Sequence, residues 1–273
     1  MSAPAPAPIT QPAPPPRASG IPAISAALAD IKIAHSVFAL PFAILAAFLA
    51  ASALTPIHWP RFSGQLALVI AAMVLARTWA MLINRLADRR FDAHNPRTAR
   101  RAIPAGRTTT PVMAAVAAAC ALLFCALASG FGLLYANWWP LTLALPVLAW
   151  IALYSFTKRF TALCHLFLGG ALAASPLAAA IAIAPDILFT SAAPDIRTTI
   201  LLLAGFITLW VAGFDVAYAL QDLDFDRAAN LRSIPARLGL HGALWTSRIM
   251  HAAAFALLAT IALAMHTLGP LFT

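Results

Sequence analysis

Residues 64–92 read GQLALVIAAMVLARTWAMLI followed directly by NRLADRRFD, and this stretch decides how the chain folds. The first part, 64–83, is long and apolar enough to cross a bilayer as a helix, which takes about 20 residues. The second part carries Asn84, Asp88 and Asp92 at the spacing i, i+4, i+8. On a helix these three side chains project along one face, roughly one turn apart. The stretch therefore predicts a membrane helix whose last turns present a row of oxygen ligands.

The composition of the chain indicates a membrane protein. Of its 273 residues, 62% are hydrophobic and 10% are charged, whereas soluble domains carry about 25% charged residues. We therefore predict an all-α fold, a polytopic transmembrane helical bundle. The expected spans lie at about 33–54, 64–83, 111–130, 138–156, 161–184, 198–220 and 242–267, which makes seven.

The chain divides into a tail and one membrane domain. Residues 1–23 are rich in proline and alanine and lack the apolar core of a signal peptide, so we expect a disordered cytoplasmic tail. Residues 24–273 then form the transmembrane domain. Basic residues concentrate in the loops after the second, fourth and sixth spans, which places those loops and the N-terminus in the cytoplasm. We expect a multi-pass protein of the inner (cytoplasmic) membrane.

The charged residues are unevenly distributed. The net charge is +9, but the arginines lie at the ends of membrane segments, so we predict no nucleic-acid partner and infer no obligate protein partner. For any single arginine, a contact with anionic membrane lipid is the alternative to a functional role. Glutamate is absent, and six of the nine aspartates fall in two short stretches: Asp88, Asp92, Asp215, Asp222, Asp224 and Asp226.

The second acidic stretch repeats the spacing of the first. Asp222 and Asp226 stand at i, i+4, and Asp215 lies seven residues earlier, so three carboxylates are expected to share one helical face while Asp224 points elsewhere. Two such clusters at one membrane surface suit Mg²⁺ ions that bridge a diphosphate. Seven arginines lie between positions 84 and 110, and we expect them to divide between membrane topology and binding of the diphosphate.

Arg77 is a separate candidate for the site. It interrupts the apolar segment seven residues before Asn84, on the same helical face. An arginine inside a membrane span normally faces a polar cavity or a partner. We therefore expect it either to support the site or to extend its charge toward the membrane surface.

Four motifs together resemble a known family. They are Asn84-Arg85-x-x-Asp88-x-x-x-Asp92, Arg101-Ala102-Ile103-Pro104-Ala105-Gly106, Tyr154-x-x-x-Lys158-Arg159 and Asp222-x-x-x-Asp226. In this order they resemble the UbiA-type intramembrane aromatic prenyltransferases, the superfamily that contains 4-hydroxybenzoate polyprenyltransferase. The resemblance covers about residues 28–270.

The resemblance implies a role for each matching residue. Five residues would hold Mg²⁺ and the prenyl diphosphate, and are the catalytic and metal candidates: Asn84, Asp88, Asp92, Asp222 and Asp226. The substrate-binding candidates begin with Arg101 and Lys158, which would contact the diphosphate. Arg159 would pair with the diphosphate or with the carboxylate of the aromatic acid, and Tyr154 and Tyr218 would lie beside the aromatic ring or the prenyl cation. Asp215, Arg77 and Lys32 are further candidates for substrate binding. For both tyrosines the alternative is interfacial packing. Lys32 lies with His35 at the cytoplasmic end of the first span.

The implied activity is Mg²⁺-dependent transfer of a polyprenyl group from polyprenyl diphosphate to a ring carbon of 4-hydroxybenzoate, in ubiquinone-type quinone biosynthesis. One alternative is prenylation of a dihydroxynaphthoate in menaquinone biosynthesis. Another is a non-catalytic protein, either a carrier of a phosphorylated lipid or a cation pathway. A third is an inactive truncated relative.

The chain departs from the family pattern at two points. Arg85 stands where many relatives have an aspartate. The family typically has nine spans, and this sequence ends after the seventh expected one. We therefore expect the last two helices of the family to be lacking.

Overall fold

The computed structural model of the protein describes residues 19–31, 39–190 and 193–264. Within these ranges the chain forms helices and no strands. The helices are α1 (Gly20–Ala29), α2 (Leu40–Ser52), α3 (Trp59–His94), α4 (Thr110–Tyr135), α5 (Trp139–Thr157), α6 (Cys164–Ile183), α7 (Asp186–Phe189), α8 (Pro194–Ala219), α9 (Leu223–Ala228) and α10 (Ile234–Ala264). A 3₁₀ turn at Leu220–Asp222 joins α8 to α9.

The predicted all-α membrane fold is confirmed. In the described part of the chain, six helical stretches are long and apolar enough to cross a membrane: α3, α4, α5, α6, Pro194–Ala228 and Ile234–Leu263. The first expected span, about 33–54, is described only from residue 39 onward. There the chain forms α2, a shorter apolar helix of 13 residues.

Helix α3 is the long element on which the first motif lies. It begins at Trp59, earlier than expected, because Pro60 suits the first helical turn and His58 Nδ1 accepts a hydrogen bond from the backbone N–H of Arg61. It ends at His94, since Asn95 precedes a proline and is extended. Its 36 residues span about 54 Å, well beyond a hydrocarbon core of about 30 Å. The turns that carry the motif therefore extend past the apolar layer.

The second acidic stretch does not lie on one continuous helix. Helix α8 ends at Ala219, and the 3₁₀ turn changes the angular step before α9 begins. A 3₁₀ turn has 3.0 residues per turn instead of 3.6, so side chains beyond it no longer follow the earlier face. The expectation that Asp215 shares an unbroken helical face with Asp222 and Asp226 is therefore wrong.

Small residues bring the helices close together. Gly169 on α6 faces the backbone of Thr208 on α8 so closely that an added Cβ would lie 2.1 Å from the Thr208 carbonyl oxygen. Such contacts are usual between membrane helices, where packing replaces the hydrophobic effect. Because successive long helices run in opposite directions, the segments 95–109, 158–163 and 220–233 meet at one end of the bundle. Hydrogen bonds between these segments hold them together there.

Candidate functional site

Asp88 is the centre of the first acidic cluster. It is buried, and its Oδ2 lies 3.2 Å from the ammonium nitrogen of Lys158, which follows α5 directly. Its Oδ1 lies 3.5 Å from Nη2 of Arg159. Asn84, one turn earlier on α3, donates from Nδ2 to Asp88 Oδ2 over 3.3 Å. The structure thus brings two motifs that are about 70 residues apart, from α3 and from the end of α5, into one cluster.

Asp92 lies one turn further along α3 and is also buried. Arg101, in the segment that follows α3, donates from Nη1 to Asp92 Oδ1 over 2.6 Å. Thr98 donates to the Asp92 backbone carbonyl. The arginine-rich segment is therefore folded back over the last turn of α3, so that its cations face the carboxylates of the motif.

Asp222 is the centre of the second cluster. Its Oδ1 accepts hydrogen bonds of 2.9 Å each from Asn95 Nδ2 and Arg97 Nε, and Arg97 Nη2 also pairs with Oδ2. The hydrogen bond to Asp222 raises the pKa of Arg97 above its ordinary value. Asp226, one turn on, is buried and lies against Ser233.

Lys158 links the two clusters. Its ammonium pairs with Asp88, and its positive charge also reaches Asp222 and Asp226. Its backbone carbonyl accepts a hydrogen bond of 2.6 Å from the N–H of Arg232, which fixes it against the segment between α9 and α10. Lys158 therefore lies between Asp88 of the first pair and both carboxylates of the second pair, at the same end of the bundle.

Arg159 and Tyr218 lie at the edge of this arrangement. Arg159 packs over the rings of Phe91 and Phe156, and its Nη2 donates to the Ala87 carbonyl over 2.7 Å. Tyr218 is 46% exposed; its hydroxyl accepts a hydrogen bond from Arg97 and its ring packs against the same guanidinium. In this structure Tyr218 supports Arg97.

An apolar cavity of about 300 Å³ lies between α3, α4, α5 and α6. Most of its wall is alanine, leucine and valine, and Arg77, Tyr154 and Ser175 contribute the polar groups. The charges that act on the Tyr154 hydroxyl include Arg77, Asp88 and Asp215. Among the described residues the side chain of Arg77 makes no hydrogen bond or ion pair. It lies seven residues before Asn84, or about 10 Å along the helix, so the cavity begins directly below the first cluster.

Three site residues escaped the sequence analysis, and Asp215 takes part in one of their contacts. Asn95 and Arg97 hold Asp222; the signal for them was the Asn-Pro-Arg sequence directly after the motif helix. His165 is buried, with Nδ1 2.7 Å from Asp215 Oδ2, and its Nε2 accepts from the N–H of Ile234 over 3.3 Å. Its partners are 50 and 69 residues away, so nothing in the local sequence indicated it.

The predicted position of Lys32 is not tested, because Lys32 and His35 lie outside the described residues.

The donor set of the first cluster suits Mg²⁺. Two buried carboxylate oxygens, Asp88 Oδ1 and Asp92 Oδ2, have no hydrogen-bond donor, while Asn84 turns its amide Nδ2 toward Asp88 and its Oδ1 toward Arg85. In the described part of the chain, no three His, Cys, Asp or Glu side chains lie close enough to hold a metal ion by themselves. Mg²⁺ usually takes one or two protein carboxylates and completes its shell with water and substrate phosphate oxygens, so the two carboxylate oxygens of Asp88 and Asp92 fit it.

The chain is similar to several known proteins. A sequence model of the UbiA prenyltransferase family matches residues 39–273. A 4-hydroxybenzoate octaprenyltransferase from Vibrio vulnificus (strain CMCP6) is 33% identical over 180 residues, 64% of this chain and 57% of that protein. One from Citrobacter koseri (strain ATCC BAA-895 / CDC 4225-83 / SGSC4696) is 30% identical over 211 residues, 74% of this chain and 67% of that protein. The matched region thus spans between half and two thirds of the length of these curated relatives.

Two solved structures are similar throughout. The apo structure of a UbiA homolog from Aeropyrum pernix K1 is 36% identical, with a TM-score of 0.75, and the match covers 88% of this chain and 82% of that one. A UbiA homolog from Archaeoglobus fulgidus, solved with DMAPP and Mg²⁺, is 17% identical with a TM-score of 0.63, over 92% of this chain and 83% of that one. The second likeness shows the fold alone.

Proposed function

The chain belongs to the UbiA prenyltransferase family, and from that premise we propose that it transfers a polyprenyl group from polyprenyl diphosphate to a ring carbon of 4-hydroxybenzoate, in ubiquinone-type quinone biosynthesis. The observation that carries the proposal is the meeting of Asp88, Asp222 and Asp226 around Lys158, above an apolar cavity that holds Arg77 and Tyr154. We further propose that the site faces the cytoplasm from the inner membrane, as the distribution of basic loop residues predicts.

The charged end of the bundle is suited to a diphosphate. Asp88 and Asp92 on α3 would hold Mg²⁺ on one side, with Asn84 orienting Asp88 through its amide NH₂, and Asp222 with Asp226 would hold it on the other. Mg²⁺ bound there neutralises the diphosphate oxygens and makes the group a better leaving group. A UbiA homolog of the same fold, from Archaeoglobus fulgidus, was solved with DMAPP and Mg²⁺, which supports the proposal of a prenyl diphosphate and a divalent metal as ligands.

We propose that two cations of the site, Lys158 and Arg101, exchange a carboxylate partner for the diphosphate when the substrate binds. Lys158 pairs with Asp88 and Arg101 pairs with Asp92 in the structure described here. Each lies next to the position that we assign to the diphosphate, so on substrate binding it can turn from carboxylate to phosphate oxygen. Charge-assisted hydrogen bonds of this kind are about twice as strong as neutral ones. They also stabilise the negative charge that grows on the leaving group.

The reaction exchanges one bond for another. The allylic C–O bond breaks and its electron pair leaves with the diphosphate. The ring carbon beside the phenol hydroxyl forms a new C–C bond to the prenyl carbon, and the ring then loses its proton to a carboxylate or phosphate oxygen. The apolar wall of the cavity excludes water, which would otherwise capture the allylic cation.

The polar groups of the cavity are suited to an aromatic acid. The side chain of Arg77 makes no hydrogen bond or ion pair among the described residues and lies in a largely apolar surrounding. A carboxylate is the partner that its planar guanidinium binds best. Tyr154 on α5 lies close enough to Arg77 for the guanidinium charge to act on its hydroxyl, so we assign it to the aromatic ring.

The cavity is large enough to hold only part of the prenyl donor. A volume of about 300 Å³ lies at the lower end of the roughly 300–1,000 Å³ found for small-molecule sites. It is adequate for an aromatic acid and the reactive end of the donor. A long polyprenyl tail must therefore leave between the helices into the lipid, which a membrane bundle permits.

Three variants test the proposal. Membranes that contain the wild-type chain, Asp88→Asn, Asp222→Asn or Asp224→Asn receive a labelled polyprenyl diphosphate, 4-hydroxybenzoate and Mg²⁺. We expect product and diphosphate release from the wild type and from Asp224→Asn, whose side chain is exposed on α9. The two site variants should lose both. The proposal fails if they release diphosphate at the wild-type rate, or if 4-hydroxybenzoate is not prenylated, including the case in which a dihydroxynaphthoate offered in parallel is prenylated instead.

A further inference from the structure

Arg85 occupies the second position of the first motif, but its side chain leaves the carboxylate cluster. Its Nε lies 3.2 Å from Oδ2 of Asp30, and the two side chains are only 12% and 11% exposed. Asp30 immediately follows α1, the helix that precedes the first expected span. We propose that this ion pair positions Asn84, and through it Asp88, for binding of the metal and diphosphate, so that α1 forms part of the site. The inference rests on the proposed function.

The ion pair between Arg85 and Asp30 acts on Asp88 through the side-chain amide of Asn84. Arg85 Nη1 donates to Asn84 Oδ1 over 3.2 Å, and Asn84 Nδ2 in turn donates to Asp88 Oδ2 over 3.3 Å. An amide group has an acceptor end and a donor end. With the guanidinium on its oxygen, the NH₂ end must face Asp88. If the amide turned over, its oxygen would face the Asp88 carboxylate, and two acceptors would meet.

Packing fixes the acidic partner in place. Ala27 and Ile31, on either side of Asp30, are buried against Leu82 of α3, Ala102 of the arginine-rich segment and Met113 of α4. Helix α1 is therefore tied to three parts of the bundle at once. Asp30 cannot move away from Arg85 unless this apolar cluster opens.

Asp30 is also the partner on which Arg85 depends. Among the described residues it is the one acidic side chain within ion-pair distance of Arg85. A buried guanidinium that loses its carboxylate keeps the cost of desolvation without the compensating attraction. The next negative charge that acts on Arg85 is Asp92. Without Asp30, Arg85 is drawn toward Asp92, a carboxylate that the proposed function assigns to the metal, and it releases Asn84.

Arg107 offers an internal comparison. Its Nη2 lies 3.9 Å from Asp30 Oδ1, and its side chain is 52% exposed. An exposed pair at this distance contributes little. Removal of the Arg107 charge should therefore leave the site unchanged, although it belongs to the same three-residue cluster.

The experiment measures binding separately from catalysis. Purified full-length protein is titrated with Mg²⁺ in the presence of inorganic pyrophosphate, and the rise in unfolding temperature is followed. Residues behind a metal ligand typically change metal affinity by about 10–100-fold. We therefore expect Asp30→Asn to need at least about tenfold more Mg²⁺ for the same rise. Asp30→Glu should recover most of the wild-type response. Arg107→Gln and Asp224→Asn should match the wild type.

A second variant covers the case in which Asp30→Asn does not fold. Arg85→Lys keeps the charge pair with Asp30, but a single ammonium lacks the planar fork that reaches Asp30 and Asn84 together. It should fold and still show the raised Mg²⁺ requirement. The inference is overturned if Asp30→Asn or Arg85→Lys responds to Mg²⁺ as the Asp224→Asn protein does.

The two proposals fail in different ways. If the wild-type protein prenylates no acid but its Mg²⁺ and pyrophosphate response still depends on Asp30, the proposed reaction is wrong and the positioning role stands. If the wild type is active and the Asp30 variants show the control response, the reaction stands and the positioning role is wrong.

Discussion

At the scale of single residues, Lys158 has the most partners in the site. It is one of the chain's two lysines, and its ammonium group interacts electrostatically with three carboxylates: Asp88, Asp222 and Asp226. A lysine suits this place because its ammonium is a compact charge on a flexible stem and can turn between partners. An arginine at this position would bind one carboxylate through its planar guanidinium and would turn less readily to a second partner.

Lys158→Gln should weaken binding of the prenyl diphosphate. Charged hydrogen bonds contribute about 1.5–3 kcal/mol, so we expect KM for the diphosphate to rise by about 10–100-fold. Steady-state kinetics at saturating Mg²⁺ measure it. Arg197→Gln, at the opposite end of α8, is the control and should leave KM unchanged. An unchanged KM for Lys158→Gln would contradict the assignment of Lys158 to the diphosphate.

His165 acts on stability through two contacts at once. Because Nε2 accepts from the Ile234 N–H, the ring proton is on Nδ1 and is donated to Asp215. His165→Asn retains an amide donor near Asp215 but loses the acceptor for Ile234, whereas His165→Ala loses both. Since each unsatisfied buried group costs about 1–3 kcal/mol, the order of unfolding temperatures should be wild type, Asn, Ala. Thermal unfolding in one detergent measures it, and equal temperatures for Asn and Ala would contradict the double contact.

At the scale of elements, the sequence predicted what depends on local patterns. The predicted row of Asn84, Asp88 and Asp92 lies on one helix, because α3 continues without a break to His94. The row from Asp215 onward is broken by a 3₁₀ turn that the sequence does not mark, since the residues there suit an α-helix equally well. Contacts such as His165 with Asp215, or Asp30 with Arg85, join residues 50 or more positions apart. No periodicity reports such pairs, because they depend on how whole helices pack.

The packing of α6 on α8 offers a matched pair of neighbouring glycines. At Gly169 an added Cβ would lie 2.1 Å from a backbone oxygen, whereas at Gly170 its nearest neighbour would be the Trp150 ring at 3.3 Å. Backbone cannot move aside as a side chain does, so Gly169→Ala should force the helices apart at a cost of about 1–3 kcal/mol. Gly170→Ala should change stability much less. Unfolding temperatures of the two variants decide this, and a smaller loss at Gly169 than at Gly170 would contradict the close approach of α6 and α8.

At the scale of the whole molecule, the charged groups are separated by depth. Most carboxylates and cations gather at one end of the bundle, while the cavity below them is apolar except for a few groups on α3, α5 and α6. A cation pathway needs polar residues through the full depth of the membrane. The observed separation suits a reaction between a diphosphate at the surface and a ring held deeper.

Because the charged end and the cavity lie at different depths, a change at Arg77 in the cavity should affect binding of the acceptor and leave binding of the donor largely unchanged. Arg77→Met removes the guanidinium from the cavity and keeps a side chain of similar length that fits the apolar wall. We expect KM for 4-hydroxybenzoate to rise by about tenfold or more, the value of one charged contact, while KM for the prenyl diphosphate stays within about twofold. The methyl ester of the acid has no carboxylate, so the wild type and the variant should use it equally, as product analysis by mass can measure. If instead the variant loses acid and ester alike, Arg77 acts on the shape of the cavity, and the carboxylate must bind elsewhere at the charged end, where Arg159 is the next candidate.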